Sequence, residues 1–280
     1  MPPDPEETPP PTVTPSAVVP EIEERFVPQP TPTTPVPIPT PPRVDLDPLL
    51  MSLVAEVDPE GTGTAAISVA HDDRRFAVNG DRQVDSASSA KLYWAAAALG
   101  AAAEPAVLEP DALEVFGRSD NHAAGRLIDA AGGVDAVNAF TAALGLDDTY
   151  LSAWSYGTGR QASDRPERGL DNLTTTDDLV TFVSALADGD VLEEDRRARL
   201  LGWMTATPSD LASSPALDGL LVDALPTSVA AATAHKAGWL GPGCCSRIDH
   251  VVVAVGLVPL PDGTTARIAV AAQDTPDHGA

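Results

Sequence analysis

The chain has 280 residues, an apolar fraction of 43% and a formal net charge of −24. That charge excludes nucleic acid and anionic membrane surfaces as partners, because no basic stripe exists to neutralise phosphate. No apolar run reaches the length of about 18 residues that a spanning helix needs, so no membrane span is predicted. Sixteen of the 28 prolines fall within residues 2–42. Proline denies that tract both helix and central-strand pairing, so residues 1–46 are read as a disordered acidic spacer, partly polyproline II. Residues 47–280 are read as one domain. The first basic residue is Arg25 and no apolar segment precedes it, so no signal peptide is read.

Asp47-Pro48-Leu49-Leu50 predicts a short helix with Asp47 as N-cap and Pro48 at its first position. Residues 64–70 and 74–78 predict a hairpin turning at His71-Asp72-Asp73. A helix is expected from Ser88 through the alanine-rich stretch to Ala103, apolar all round and therefore buried. Residues 107–220 are mostly helical in pattern, with capping signals at Ser119-Asp120 and Thr176-Asp177-Asp178. Lys236 opens a predicted strand, followed by strands over 248–258 and 265–273 joined at Pro261-Asp262-Gly263. Strands at both ends enclosing a helical middle predict an α+β fold, an antiparallel sheet flanked by helices beside an all-helical half.

The chain has two lysines against 15 arginines. They stand in Ser88-Ser89-Ala90-Lys91 and Lys236-Ala237-Gly238, with Ser119-Asp120-Asn121 between. A guanidinium stays protonated, whereas an amine can give up its proton, so an amine at these places points to proton transfer. Ser88 and Lys91 share a helix face at i, i+3. A serine hydroxyl is a poor nucleophile until a base takes its proton, and Lys91 can be that base once burial and a second ammonium, Lys236, make it partly neutral. Ser119 and Asn121 straddle Asp120 and point the same way. The hydroxyl can relay a proton, and the carboxamide can bind a substrate amide and steady Lys91. Asp120 is expected to cap the next helix. Gly238 in an edge strand lets a substrate backbone lie alongside, with Lys236 meeting its carboxylate. The amides of Ser88 and Trp239 are the expected oxyanion hole.

S-x-x-K, S-D-N and a K-[TS]-G-like triplet, in this order, resemble the signature of class A β-lactamases and related penicillin-recognising serine hydrolases. The resemblance extends over about residues 47–274. It includes Ser119-Asp120-Asn121-His122-Ala123-Ala124-Gly125-Arg126-Leu127-Ile128, Gly132-Gly133, Leu144-Gly145-Leu146-Asp147-Asp148-Thr149, and Leu173-Thr174-Thr175-Thr176 at the end of the omega loop. It implies a site between the two halves of the fold, a covalent acyl-enzyme, no cofactor and no metal. β-Lactams or D-Ala-D-Ala peptides of peptidoglycan are the implied substrates, and an extracytoplasmic location goes with them. A monomer is expected.

Three departures bear on activity. Residues 150–172 lack the E-x-x-L-N string that supplies the deacylating glutamate; Glu167 is the one glutamate there, read more readily as a solvated charge than as a base. Ala237 stands where the family has a hydroxyl. Ser88 and Ser119 are only 31 residues apart, and the sequence ends after its last predicted strand, without the family's C-terminal helix. Acylation at Ser88 with slow deacylation is therefore expected. The alternatives are a D,D-peptidase on stem peptides and a non-catalytic cell-wall or partner-binding module. His122 and His235 adjoin the motifs without a G-x-S-x-G elbow. Cys244, Cys245, Asp249 and His250 match no zinc template, and adjacent cysteines make an improbable disulfide.

Overall fold

Alternation of apolar side chains at both ends of the chain builds the sheet. The computed structural model describes residues 47–61, 65–102, 104–153, 162, 172–205, 221–241 and 250–275. The predicted spacer, Glu167, Cys244, Cys245 and Asp249 lie outside the described residues. β1 (Ala65–His71) and β2 (Arg74–Val78) form the hairpin predicted for them. Asp72 takes a left-handed φ of 51° at its turn, a conformation aspartate tolerates better than most residues. β3 (Val84–Asp85) pairs with β4 (Leu173–Thr174) as a separate two-stranded sheet. β5 (Ala234–Leu240), β6 (His250–Pro259) and β7 (Thr265–Thr275) complete the main sheet in the antiparallel order β2-β1-β7-β6-β5. β5 is thus an edge strand.

Both faces of this sheet are covered. Leu50 of α1 (Asp47–Val57) packs with Val69 and Phe76 on one face, and Leu221 packs with Ala254 and Val258. The opposite face meets the main core, in which α2 (Lys91–Ala101) is central: every residue from Lys91 to Leu99 is buried. Its alanines leave room for close neighbours, and α4 (Asn121–Ala130) presents Ala123, Ala124 and Gly125 to the interior. α3 (Glu109–Arg118), α5 (Val134–Ala143) and α7 (Glu194–Thr205) complete the helical half, while α6 (Thr176–Asp188) lies on β1, β6 and β7.

Several boundaries differ from expectation. α1 begins at Asp47 itself. The α-helix expected from Ser88 begins at Lys91, because Ala87–Ala90 form a 3-10 turn ahead of it, and it ends at Ala101. The cap of α6 is Thr175, whose hydroxyl accepts from the Asp178 amide at 2.9 Å, one residue before the predicted signal. β5 starts at Ala234, two residues before Lys236. Among the described residues no helix is long and apolar enough to cross a membrane.

Leu127 is fully buried in α4 against the α2 core. Leu127→Ala is expected to lower unfolding free energy by about 2–5 kcal/mol through lost transfer energy and a cavity, read from the urea midpoint at unchanged m-value.

Candidate active site

The 3-10 turn brings the first two residues of the site together. Side chains three apart eclipse on a 3-10 helix, so Ser88 lies directly over Lys91, and Lys91 Nζ is 3.0 Å from Ser88 Oγ. Ala87, just before Ser88, has φ 46°, and Asp85 Oδ1 steadies it by accepting from the Ala87 amide at 2.9 Å. A non-glycine residue held in this region costs about 1–2 kcal/mol, and such strain gathers at functional sites. Ser89, the neighbouring serine, is fully buried and donates from its hydroxyl to Ser86 O at 2.6 Å. Ser88 is only half-buried, so of the two serines it is the accessible one.

Ser119 ends α3 in a left-handed turn, φ 54°, and α4 starts two residues later. Asp120 caps α4 as expected, accepting from the Ala123 amide at 2.6 Å. This leaves Ser119 and Asn121 both aimed at Lys91. Lys91 Nζ donates to the Ser119 carbonyl, lies 3.0 Å from Ser119 Oγ, and donates to Asn121 Oδ1 at 2.7 Å. The two carbonyl-type oxygens can only accept. In the neutral amine they take both N–H protons, and the lone pair remains for a hydroxyl proton.

Lys91 is fully buried and Lys236 is 5% exposed. Burial, and then the nearby Lys236 charge, push the Lys91 pKa down to about 6, against a smaller upward pull from Asp120. Burial brings Lys236 down to about 7. Lys236 Nζ donates to Ser119 Oγ at 3.1 Å and to Ala237 O at 2.7 Å. Both amines therefore converge on one hydroxyl, that of Ser119.

Gly238 follows on the edge strand. A Cβ there would sit 2.3 Å from the Ser88 amide nitrogen and 2.7 Å from that of Ser89. Backbone against backbone is the reason for glycine, and the approach sets the Ser88 amide beside β5 one residue before Trp239. Ser88, Lys91, Ser119, Asn121, Lys236 and Gly238 thus come together, while Glu167 falls outside the described residues. Sequence reasoning missed Asn172, which is 4% exposed. Its carbonyl accepts from the Ser86 amide at 2.6 Å, and its side-chain oxygen from the Ala153 amide at 2.9 Å. No local motif marks such a residue, because its partners are distant in sequence. His122 is exposed, and His235 Nδ1 lies 3.3 Å from Thr233 O. Among the described residues no group of three His, Cys, Asp or Glu side chains could hold a metal.

A family model described as "Beta-lactamase enzyme family" matches residues 112–280. Solved structures agree in fold. A class A beta-lactamase from Bacteroides cellulosilyticus shares 18% identity over 84% of this chain and 92% of its own, with TM-score 0.66. A beta-lactamase from Sphaerobacter thermophilus shares 24% over 84% and 91%, with TM-score 0.62. One from Chitinophaga pinensis shares 17% over 81% and 91%, with TM-score 0.61. No curated protein matches the chain by sequence.

The Gly238 contact can be tested against a neighbour-free glycine. Gly238→Ala is expected to lose about 1–3 kcal/mol through backbone overlap. Gly202→Ala, in α7 with nothing within 4 Å, is expected to be neutral or to gain up to about 1 kcal/mol from helix propensity. Denaturant melts of both variants check this.

Proposed function

The chain belongs to the beta-lactamase enzyme family, and from that premise we propose that β-lactams acylate Ser88 and that the acyl group leaves slowly. The chain is a serine β-lactamase-like hydrolase by family; the residue roles are our reading. One observation carries it: Lys91 Nζ stands 3.0 Å from both the Ser88 and the Ser119 hydroxyl, in a site buried enough to keep it largely neutral at pH 7.

In this reading Ser88 Oγ attacks the lactam carbonyl carbon while its proton passes to Lys91. The Ser88 and Trp239 amides receive the oxyanion. As the C–N bond breaks, Ser119 gives its proton to the departing nitrogen and recovers one from the Lys91 ammonium. Asn121 holds the substrate amide. Lys236 meets the substrate carboxylate, without the hydroxyl that Ala237 lacks. Slow release is inferred from the missing E-x-x-L-N string in residues 150–172. Substrates of this class lie outside the cytoplasm, and an extracytoplasmic protein fits them. A second reading, a D,D-peptidase, is favoured by β5 being an edge strand, open to a stem peptide as an added strand.

Intact-protein mass after addition of a penicillin is expected to show a long-lived adduct on wild type and none on Ser88→Ala. Rapid Ser88-dependent nitrocefin hydrolysis would contradict slow release, and D-Ala release from a diacyl-Lys-D-Ala-D-Ala peptide would favour the peptidase. Cell-wall pull-down undiminished in Ser88→Ala, with no adduct, would favour a binding module. The acylation rate is expected to rise with pH through about 6, where Lys91 loses its proton, and to fall again above about 7, where Lys236 loses the charge that meets the substrate carboxylate. Removing the Lys236 charge stabilises the Lys91 ammonium, so Lys236→Ala is expected to move that rise to higher pH.

A further inference from the structure

A buried chain of hydroxyls runs behind the site. Thr149 Oγ1 donates to Asp178 Oδ2 at 2.7 Å and lies 2.9 Å from Thr174 Oγ1, which lies 3.0 Å from Tyr93 OH. Tyr93 and Thr174 are fully buried, and Thr149 and Asp178 are each 8% exposed. Each hydroxyl has a single proton. Because Thr149 spends its proton on the carboxylate, Thr174 must donate to Thr149, and Tyr93 must donate to Thr174. The carboxylate thereby sets the direction of all three bonds.

This chain clasps a neck. Tyr150 and Leu173 exchange backbone bonds of 2.9 and 2.6 Å, and Thr149 and Thr174 are the residues just outside that pair. Asn172, next to Leu173, accepts from the Ser86 amide, two residues before Ser88. At the other end of the chain, Tyr93 stands two residues after Lys91 on α2 and packs edge-on against Phe182 of α6, ring centroids 5.0 Å apart. The neck therefore touches both the turn of Ser88 and the helix of Lys91.

We propose that Asp178 is a positioning residue: by orienting the Thr149–Thr174–Tyr93 hydroxyl chain, its carboxylate holds the neck that sets the Ser88 turn. The kinetic consequence rests on Ser88 being the nucleophile; the structural one does not. Burial pushes the Asp178 pKa up, assisted by the charges of Asp148 and Asp147 and opposed by bonds from Thr149 and the Asp148 backbone. Tyr93, the titratable group at the chain's far end, is raised by burial and stays protonated. A carboxyl raised in the folded state binds its proton more tightly there than in the unfolded chain. Its contribution to stability is therefore full below the unfolded pKa and is lost as pH rises through the folded pKa.

The test is backbone hydrogen exchange at the Tyr150 and Leu173 amides in Asp178→Asn and Thr149→Val, with thermal midpoint and Ser88 acylation rate alongside. A carboxamide offers one acceptor oxygen where the carboxylate offers two, and a neutral acceptor bonds about half as strongly. Asp178→Asn is expected to keep or raise the midpoint while neck exchange accelerates about tenfold or more and acylation slows several-fold. Neck exchange unchanged in both variants, or rising only in step with a lowered midpoint, would overturn the proposal. A wild type that β-lactams never acylate would remove the acyl-transfer reading, and the exchange comparison would still decide the role of Asp178.

Discussion

Two amines buried side by side around one hydroxyl are the constraint on which the site depends. In water both would be ammonium ions and neither could act as a base at pH 7. Burying Lys91 at the start of the alanine-rich helix and Lys236 in the edge strand removes the solvent that would stabilise their charge, and the Lys236 charge further disfavours the proton on Lys91. Burying them is tolerable because every direction that Lys91 can donate in meets an oxygen, from Ser119, Asn121 or Ser88.

The rest of the fold serves that convergence. α2 delivers Lys91 from the core, the α3–α4 junction delivers Ser119 and Asn121, and the edge strand delivers Lys236. No two of these segments adjoin in sequence, so packing has to bring them to within a few tenths of an ångström. Gly238 shows how tight the fit is, since a single added carbon would overlap the Ser88 backbone. The left-handed residues Ala87 and Ser119 turn the chain where a regular helix would aim the hydroxyls elsewhere.

Much of this was legible in the residues. The β1–β2 hairpin, the β6–β7 pair and the all-buried α2 followed from alternation, turn residues and alanine content; Gly238 reads as room for a substrate backbone, whereas its close neighbours are the Ser88 and Ser89 amides. The scarcity of lysine singled out Lys91 and Lys236, and the two serine motifs supplied their partners. What could not be read depended on contacts across the chain. The 3-10 turn at Ala87–Ala90 is a choice between two helix types whose local preferences barely differ. Asn172 and the Tyr93–Thr174–Thr149–Asp178 chain join segments separated by up to 86 residues, and threonine and aspartate at a helix start read equally well as ordinary caps. Thr175, next to that chain, is such a cap.

The presence of only two lysines makes the central claim directly measurable. With lysine labelled at its ε-carbon, the chain gives two side-chain NMR signals, assignable with Lys91→Arg and Lys236→Arg variants and followed from pH 5 to 11. The account predicts titrations near 6 for Lys91 and near 7 for Lys236. Two signals that both titrate near 10.5, as solvated lysines do, would contradict it, since neither amine could then serve as a base at neutral pH.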